Sequence, residues 1–245
     1  MLDNLIQMDN KKISLKSYKI LFLYIMFYLS IFCCNYPKNE LDENHSYILN
    51  NIPSEKILDI STYDSSNQAT HPDILYFENG FNGHYFYMVM TPYPYSNDHF
   101  ENPSILVSEN GVDFYEEIIG LNPLINAPQY GHNDDPDIMF DTEKNMFHLY
   151  YLETMEPDSQ NVILLQSKDA INWSKERVIH YDLQKGDNFI VSPTIIKTKI
   201  NYYMYYVNLS LQGHPIQFLN SENGINWEKD SIFSINANYP NSLSP

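Results

Sequence analysis

Residues 131–140 read GHNDDPDIMF: a histidine, an asparagine and three aspartates set directly against an apolar run. Carboxylates this close repel one another and resist desolvation, so a packed strand cannot carry them unless water, a ligand or an ion shares the charge. Crowding of Asp134, Asp135 and Asp137 also raises the pKa of at least one of them, which keeps a proton available at neutral pH beside an ionised neighbour. Such a pair is what general acid–base chemistry requires. Oxygen-rich loops are also ligands for Ca²⁺, although NDDPD lacks the glycine and spacing of an EF-hand loop. The sequence calls for no other cofactor, and no zinc-type ligand set is evident along the chain.

The elements that must position these groups repeat. HPDILYF (71–77), DPDIMFD (135–141) and SPTIIKT (192–198) carry prolines 72, 136 and 193, spaced by 64 and 57 residues. Each is followed by an aromatic strand: HYFYMVM, MFHLYYL or YYMYYVN. A second motif recurs as SILVSENGVDF (104–114), ILLQSKDAINW (163–173) and IQFLNSENGINW (216–227), ending in Phe114, Trp173 and Trp227. Asn-Gly between alternating runs predicts a hairpin with a type I′ turn. The aromatics beyond each turn are expected to pack between modules. One unit therefore reads as strand, strand, hairpin, strand, and four antiparallel strands at a period of roughly sixty residues describe a propeller blade.

The fold class expected is all-β: a propeller with about three blades present over 68–235, by the spacing of the repeats, and a fourth beginning near ANYPNSLSP. A ring needs more blades than that, so the register reads as a truncated member of a five-bladed set. A sandwich does not explain the long period, solenoid repeats are shorter, and no amphipathic helical stretches separate the strands.

The first strand of each blade lines the channel, so His71, Asp73, Asp135, Asp137 and Ser192 are expected to converge on one axial pocket. The third strand runs parallel to the first, which places Asp98, Glu101 and Asn102 of SNDHFENPS on the same rim. His132, Asn133, Tyr93, Tyr95 and Tyr130 stand nearby in sequence. Aromatic faces beside carboxylates, amides and imidazoles suit the apolar faces and hydroxyl edges of a sugar, so the expected partner is a neutral carbohydrate.

These repeats resemble the five-bladed β-propeller glycosidases and glycoside phosphorylases of the arabinanase, levansucrase and invertase-like superfamily, and DPDIMF is similar to the Asp-Pro entrance of glycoside hydrolase family 43. The resemblance implies hydrolysis of an oligo- or polysaccharide by an aspartate base, a second aspartate that tunes pKa, and a glutamate acid. The residue before the entrance proline is Asp135 in the second blade but His71 and Ser192 in the others, a departure from that pattern. Carried onto this chain, it makes Asp73 the base, Glu101 the acid, and Asp135 or Asp137 the pKa tuner and hydroxyl ligand. Substrate contacts fall to His71, Asp98, Asn102, His132, Asn133, Tyr93 and Tyr130. The alternative is a surface propeller that binds carbohydrate or protein without turnover.

Composition agrees. Of 245 residues, 21 are Tyr and 13 Phe, which favours sheet. The formal charge of −17 disfavours nucleic acid and anionic membrane surfaces as partners. The two cysteines, Cys33 and Cys34, are adjacent and cannot staple a domain. They end an apolar stretch, residues 20–34, that follows a lysine-rich segment and reads as a signal peptide or lipoprotein signal over 1–34. The expected location is secreted or cell-envelope, with lipid attachment at Cys34 or an uncleaved anchor as the routes to a membrane. Residues 35–67 read as a polar linker and 68–245 as the partial propeller.

Overall fold

The structure is a computed structural model that describes residues 58–235. The export segment expected over 1–34, the linker up to residue 57, and the blade start near ANYPNSLSP lie outside the described residues. Residues 58–67, assigned to the linker by composition, belong to the same unit as the strands. Tyr63 donates its hydroxyl proton to the Phe100 carbonyl (2.8 Å), and the Asn67 N–H is accepted by Thr62 Oγ1 (2.9 Å).

Among the described residues, eleven strands form three antiparallel sheets, each threaded in chain order. The first holds β1 (Ala69–Phe81), β2 (His84–Pro92) and β3 (Ser104–Ser108). The second holds β4 (His132–Asp141), β5 (Met146–Met155), β6 (Ser159–Ser167) and β7 (Ser174–Asp182). The third holds β8 (Ile190–Lys197), β9 (Tyr202–Asn208), β10 (Ile216–Ser221) and β11 (Glu228–Ile235). These are blades of a partial propeller, and in the first blade the outer strand shrinks to one bridge between Val107 and Tyr115. The leading strand β4 touches β1 on one side and β8 on the other.

The middle sheet is apolar on both faces because both faces are covered. Along β5, Phe147, Leu149 and Tyr151 enter a cluster shared with Tyr87, Val89 and Ile105 of the first sheet. The intervening Tyr150 and Leu152 enter one shared with Met204, Tyr206 and Leu219 of the third. Rings of the first interface meet edge to face, as in Phe77 with Phe140 (5.0 Å, 82°) and Phe81 with Phe147 (5.0 Å, 87°), the arrangement the ring quadrupole prefers. Trp173 and Trp227 pack against these two clusters, whereas Phe114 joins a third one with Met88, Met90 and Leu106 on the other face of the first sheet.

The expected type I′ turns are corrected. Only the second residue of each pair, Gly111, Ala170 or Gly224, has positive φ, whereas type I′ needs it at both central positions. The loop is instead wound on the preceding side chain. Asn110 Oδ1 accepts the N–H groups of Val112 and Asp113 (both 2.9 Å), Asp169 Oδ1 those of Ile171 and Asn172 (2.9 and 2.8 Å), and Asn223 Oδ1 those of Ile225 and Asn226 (2.9 and 2.8 Å). An Asx side chain replaces the missing strand hydrogen bonds, so the hairpin tolerates a wider loop.

Away from the proline entrances, the second and third sheets are joined by a buried ion pair. Asp141, with a fully buried side chain, accepts from Lys197 Nζ (2.7 Å) and from the Tyr202 hydroxyl. Burial alone would raise its pKa, but the hydrogen bonds from Lys197, Tyr202 and the Lys144 N–H, together with the Lys197 charge, outweigh it and hold the carboxyl well below the usual range. Removing the lysine leaves that charge buried without its main partner. Lys197→Met is expected to lower stability by about 3 kcal/mol, measured by urea unfolding at neutral pH.

Candidate functional site

Each leading strand is broken at its proline in the same way. The residue before it adopts left-handed backbone: His71 (φ 50°), Asp135 (φ 49°) and Ser192 (φ 51°). Pairing with the next strand slips at each, between Thr70 and Asp73, Asp134 and Asp137, and Val191 and Thr194. These are bulges, and they re-aim side chains. A non-glycine residue in this region costs roughly 1–2 kcal/mol, so surrounding contacts must hold it there.

Those contacts come from the neighbouring sheet. Asp73 Oδ2 accepts the Ile138 N–H (2.8 Å) and its Oδ1 the Ile74 N–H (2.9 Å). One sheet on, Asp137 Oδ2 accepts the Ile195 N–H (3.0 Å) and Oδ1 the Thr194 hydroxyl (2.7 Å). Asp135 Oδ2 accepts the Ser192 N–H (2.6 Å). In the first two blades the residue after the proline thus turns sideways into the next blade. The three Xaa-Pro-Xaa entrances together line one open cavity of about 250 Å³.

One histidine–carboxylate group opens onto it through His71 and Asp135, and a second adjoins the first through Glu101. His71 directs Nε2 at Asp135 Oδ1 (3.2 Å) and Nδ1 at Glu101 Oε1 (3.7 Å). His132 directs Nε2 at Asp134 Oδ2 (3.4 Å) and Nδ1 at Asp98 Oδ2 (3.8 Å). Glu101, His132 and Asp134 each offer a ligand atom within 4.8 Å of the other two. Asp134 Oδ1 is buried without a hydrogen-bond partner. One imidazole and two carboxylates, one of them with an unsatisfied buried oxygen, are a donor set for a divalent cation. The three residues lie 31 and 33 positions apart or closer, which concealed the set along the chain.

The electrostatics express the same shortage of positive charge. Burial, then the nearby Asp134, pushes the Glu101 carboxyl up to about 8. Burial likewise raises Asp134, and raises Asp137 to about 7 with a further contribution from Asp73. His132 is raised mainly by its hydrogen bond to Asp134.

The other candidates divide between surface and interior. Tyr93, Tyr130 and Asp98 are exposed, and of these Asp98 faces His132. Asn102 and Asn133, expected to contact sugar, are buried and bonded to each other: Asn133 Nδ2 donates to Asn102 Oδ1 (2.9 Å). Asn102 Nδ2 donates in turn to the Tyr63 hydroxyl (2.8 Å), and the Asn133 N–H to the Glu101 carbonyl (2.9 Å). This clasp binds the backbone that carries Glu101 to the backbone that carries His132 and Asp134. Gly131 lets the chain enter β4 close against β5, since a Cβ there would lie 2.0 Å from the Thr154 carbonyl oxygen. Asp134 and Tyr63 were absent from the expected site. Alternation along β4 puts Asp134 on the side of His132, a signal available in the sequence; nothing in it pointed to Tyr63.

No protein-family model matches the sequence. Over 90 residues the chain is 33% identical to an A type blood N-acetyl-α-D-galactosamine deacetylase of Flavonifractor plautii, a match covering 36% of this chain and 12% of that protein. Among solved structures it is similar to an N-acetylgalactosamine deacetylase from F. plautii in complex with blood group B trisaccharide (TM-score 0.64, 22% identity, covering 73% of this chain and 57% of that one). It is also similar to a Bombyx mori GH32 β-fructofuranosidase (TM-score 0.52, 19% identity, covering 78% and 42%). The described residues share the β-propeller fold of these solved structures. The chain spans only part of the length of each of these relatives.

Two outcomes are expected. Calorimetric titration with Mn²⁺ or Zn²⁺ should show binding that His132→Ala abolishes and that Asn133→Ala or Asn102→Ala weakens by about 10–100-fold, the usual effect of disturbing the groups that orient ligands. With chelator present, Glu101 keeps its proton up to about 8 when folded but only to 4.5 when unfolded, so stability falls as pH rises across that window. Glu101→Gln should flatten this slope in thermal melts and gain Tm over the wild type towards its upper end.

Proposed function

We propose that this protein is a carbohydrate-active hydrolase that removes the acetyl group from an N-acetylated hexosamine, using a divalent cation held by Glu101, His132 and Asp134. The convergence of these three side chains is the observation that carries the reading. The local likeness to a curated deacetylase supports it. A bound cation of this kind supplies Lewis acidity toward an amide carbonyl and toward water.

The chain's own residues do the rest. His71 stands between Glu101 and Asp135 with its side chain 42% exposed to the cavity, so it can take a proton from water and return it to the departing amine nitrogen. Asp135, anchored through Oδ2 by the Ser192 N–H, orients the ring through its Oδ1. Asp73 and Asp137 keep the entrances in register through the backbone groups they accept. A glycan substrate also fits an exported protein, the location we propose from the N-terminal segment.

A second reading has its own observation. The Glu101 carboxyl, pushed up to about 8, is protonated at neutral pH and could serve as the acid of glycosidic hydrolysis. Both Asp73 oxygens accept backbone N–H groups, so in that reading the base is better sought in Asp135, whose Oδ1 is free of such a bond and faces His71.

The test is product analysis on glycans with terminal N-acetylgalactosamine, in the presence of Mn²⁺, Zn²⁺ or Ca²⁺. The expected result is release of acetate with an intact glycan chain, reduced at least about 100-fold by His71→Ala, as for loss of a general base. Release of a reducing sugar without acetate would establish the glycosidic reading instead. Glycan binding without either product would make this a binding protein.

A further inference from the structure

The first sheet lacks the full outer strand that its neighbours carry. β6 pairs with β7 and β10 with β11, whereas β3 has only the bridge from Val107 to Tyr115. The rest of that edge is closed by a side chain. Asn122 Oδ1 accepts the Ile105 N–H and Asn122 Nδ2 donates to the Ile105 carbonyl (both 2.8 Å), so a carboxamide stands in for a strand peptide. Against the segment between Tyr115 and Asn122 lies an open cavity of about 480 Å³, lined by Tyr63, Phe114, Tyr115, Glu116, Ile119 and Asn122 among others. It shares no lining residue with the cavity at the proline entrances. Its size is that of a small-molecule site, and the chain does not fill it: Ile119 is 95% exposed.

The lining combines three aromatic residues with one acid. Glu116 is fixed by its own loop, Oε2 accepting the Gly120 N–H (3.0 Å) and Oε1 the Asn122 N–H (3.2 Å). Each oxygen keeps a lone pair for a further donor. The chain offers no such donor from this sheet, since no lysine or arginine occurs between Lys56 and Lys144. His84, whose ring meets that of Tyr115, is taken up by Glu109 and Glu117. Among the described residues, no cationic side chain pairs with Glu116. Aromatic faces attract positive charge and a carboxylate accepts N–H groups, so this setting suits an organic ammonium ion and repels an anion.

We propose that this cavity binds a primary alkylammonium group, with Glu116 accepting its N–H donors and Tyr63, Phe114 and Tyr115 covering its apolar stem. Lysine side chains and free amines share that chemistry. The inference depends neither on the glycan reading nor on a cation at Glu101, His132 and Asp134.

The experiment titrates the full chain at neutral pH, where alkylamines are protonated, with n-butylamine, with Nα-acetyl-lysine N-methylamide and with n-pentanol as the neutral isostere, following binding by NMR. The amines should bind and the alcohol should not. Binding of both amines would show that any alkylammonium suffices, and binding of the lysine derivative alone that the site takes a peptide side chain. Glu116→Gln should weaken amine binding about tenfold, the loss of a charge-assisted hydrogen bond. Because that change also loosens the loop, a second pair of variants separates charge from folding: Tyr115→Leu should weaken binding about threefold, and Tyr115→Phe, which keeps the ring, should leave it unchanged. Absence of amine binding, or equal affinity for the alcohol, would overturn the proposal. So would amine binding that survives Glu116→Gln and Tyr115→Leu but is lost in Asp135→Asn, which would place the ammonium at the proline entrances.

Discussion

Everything at this site depends on how one blade is keyed to the next, and that key is a carboxylate accepting a backbone N–H across the gap. Asp73 takes the N–H of Ile138, and Asp137 takes that of Ile195, each aspartate standing directly after the proline of its own blade. Apolar packing between blades is non-directional and would tolerate sliding along the strands. A hydrogen bond that one particular amide donates to a carboxyl oxygen does not. It fixes the offset between leading strands, and with it the distance between side chains that belong to different blades.

The bulges convert that offset into chemistry. With the residue after the proline committed sideways, the residue before it is turned toward the cavity: His71 and Asp135 meet there at 3.2 Å. Left-handed backbone at these positions is strain that the interblade bonds compensate. Stability and site geometry are thus supported by the same few contacts.

Two treatments of buried carboxylates coexist in one sheet. At one end of β4, Asp141 is paired with Lys197 and its pKa is held down. At the other end, Asp134 and nearby Glu101 lack a cationic side chain of that kind and their pKa values are raised. The first arrangement is complete within the chain. The second leaves an unsatisfied oxygen on Asp134 and excess negative charge, which protons, a metal ion or a polar ligand can offset.

The all-β class, the three modules, the paired motifs at each proline and the side of the sheet on which the acids gather were legible in the sequence, because each follows from local periodicity and from turn and entrance residues that repeat in register. Their partners were not. Glu101 and His132 are brought together by blade packing, Asn102 and Asn133 are sealed beneath them by each other, and Asp73 is drawn toward a backbone amide 65 positions away. The hairpin turns look alike in sequence to type I′ turns, yet an Asx side chain winds them differently. A repeat determines which residues occupy equivalent places. Only the tertiary structure decides where a bulged side chain points, because that direction is set by left-handed backbone and long-range hydrogen bonds that no periodic pattern encodes.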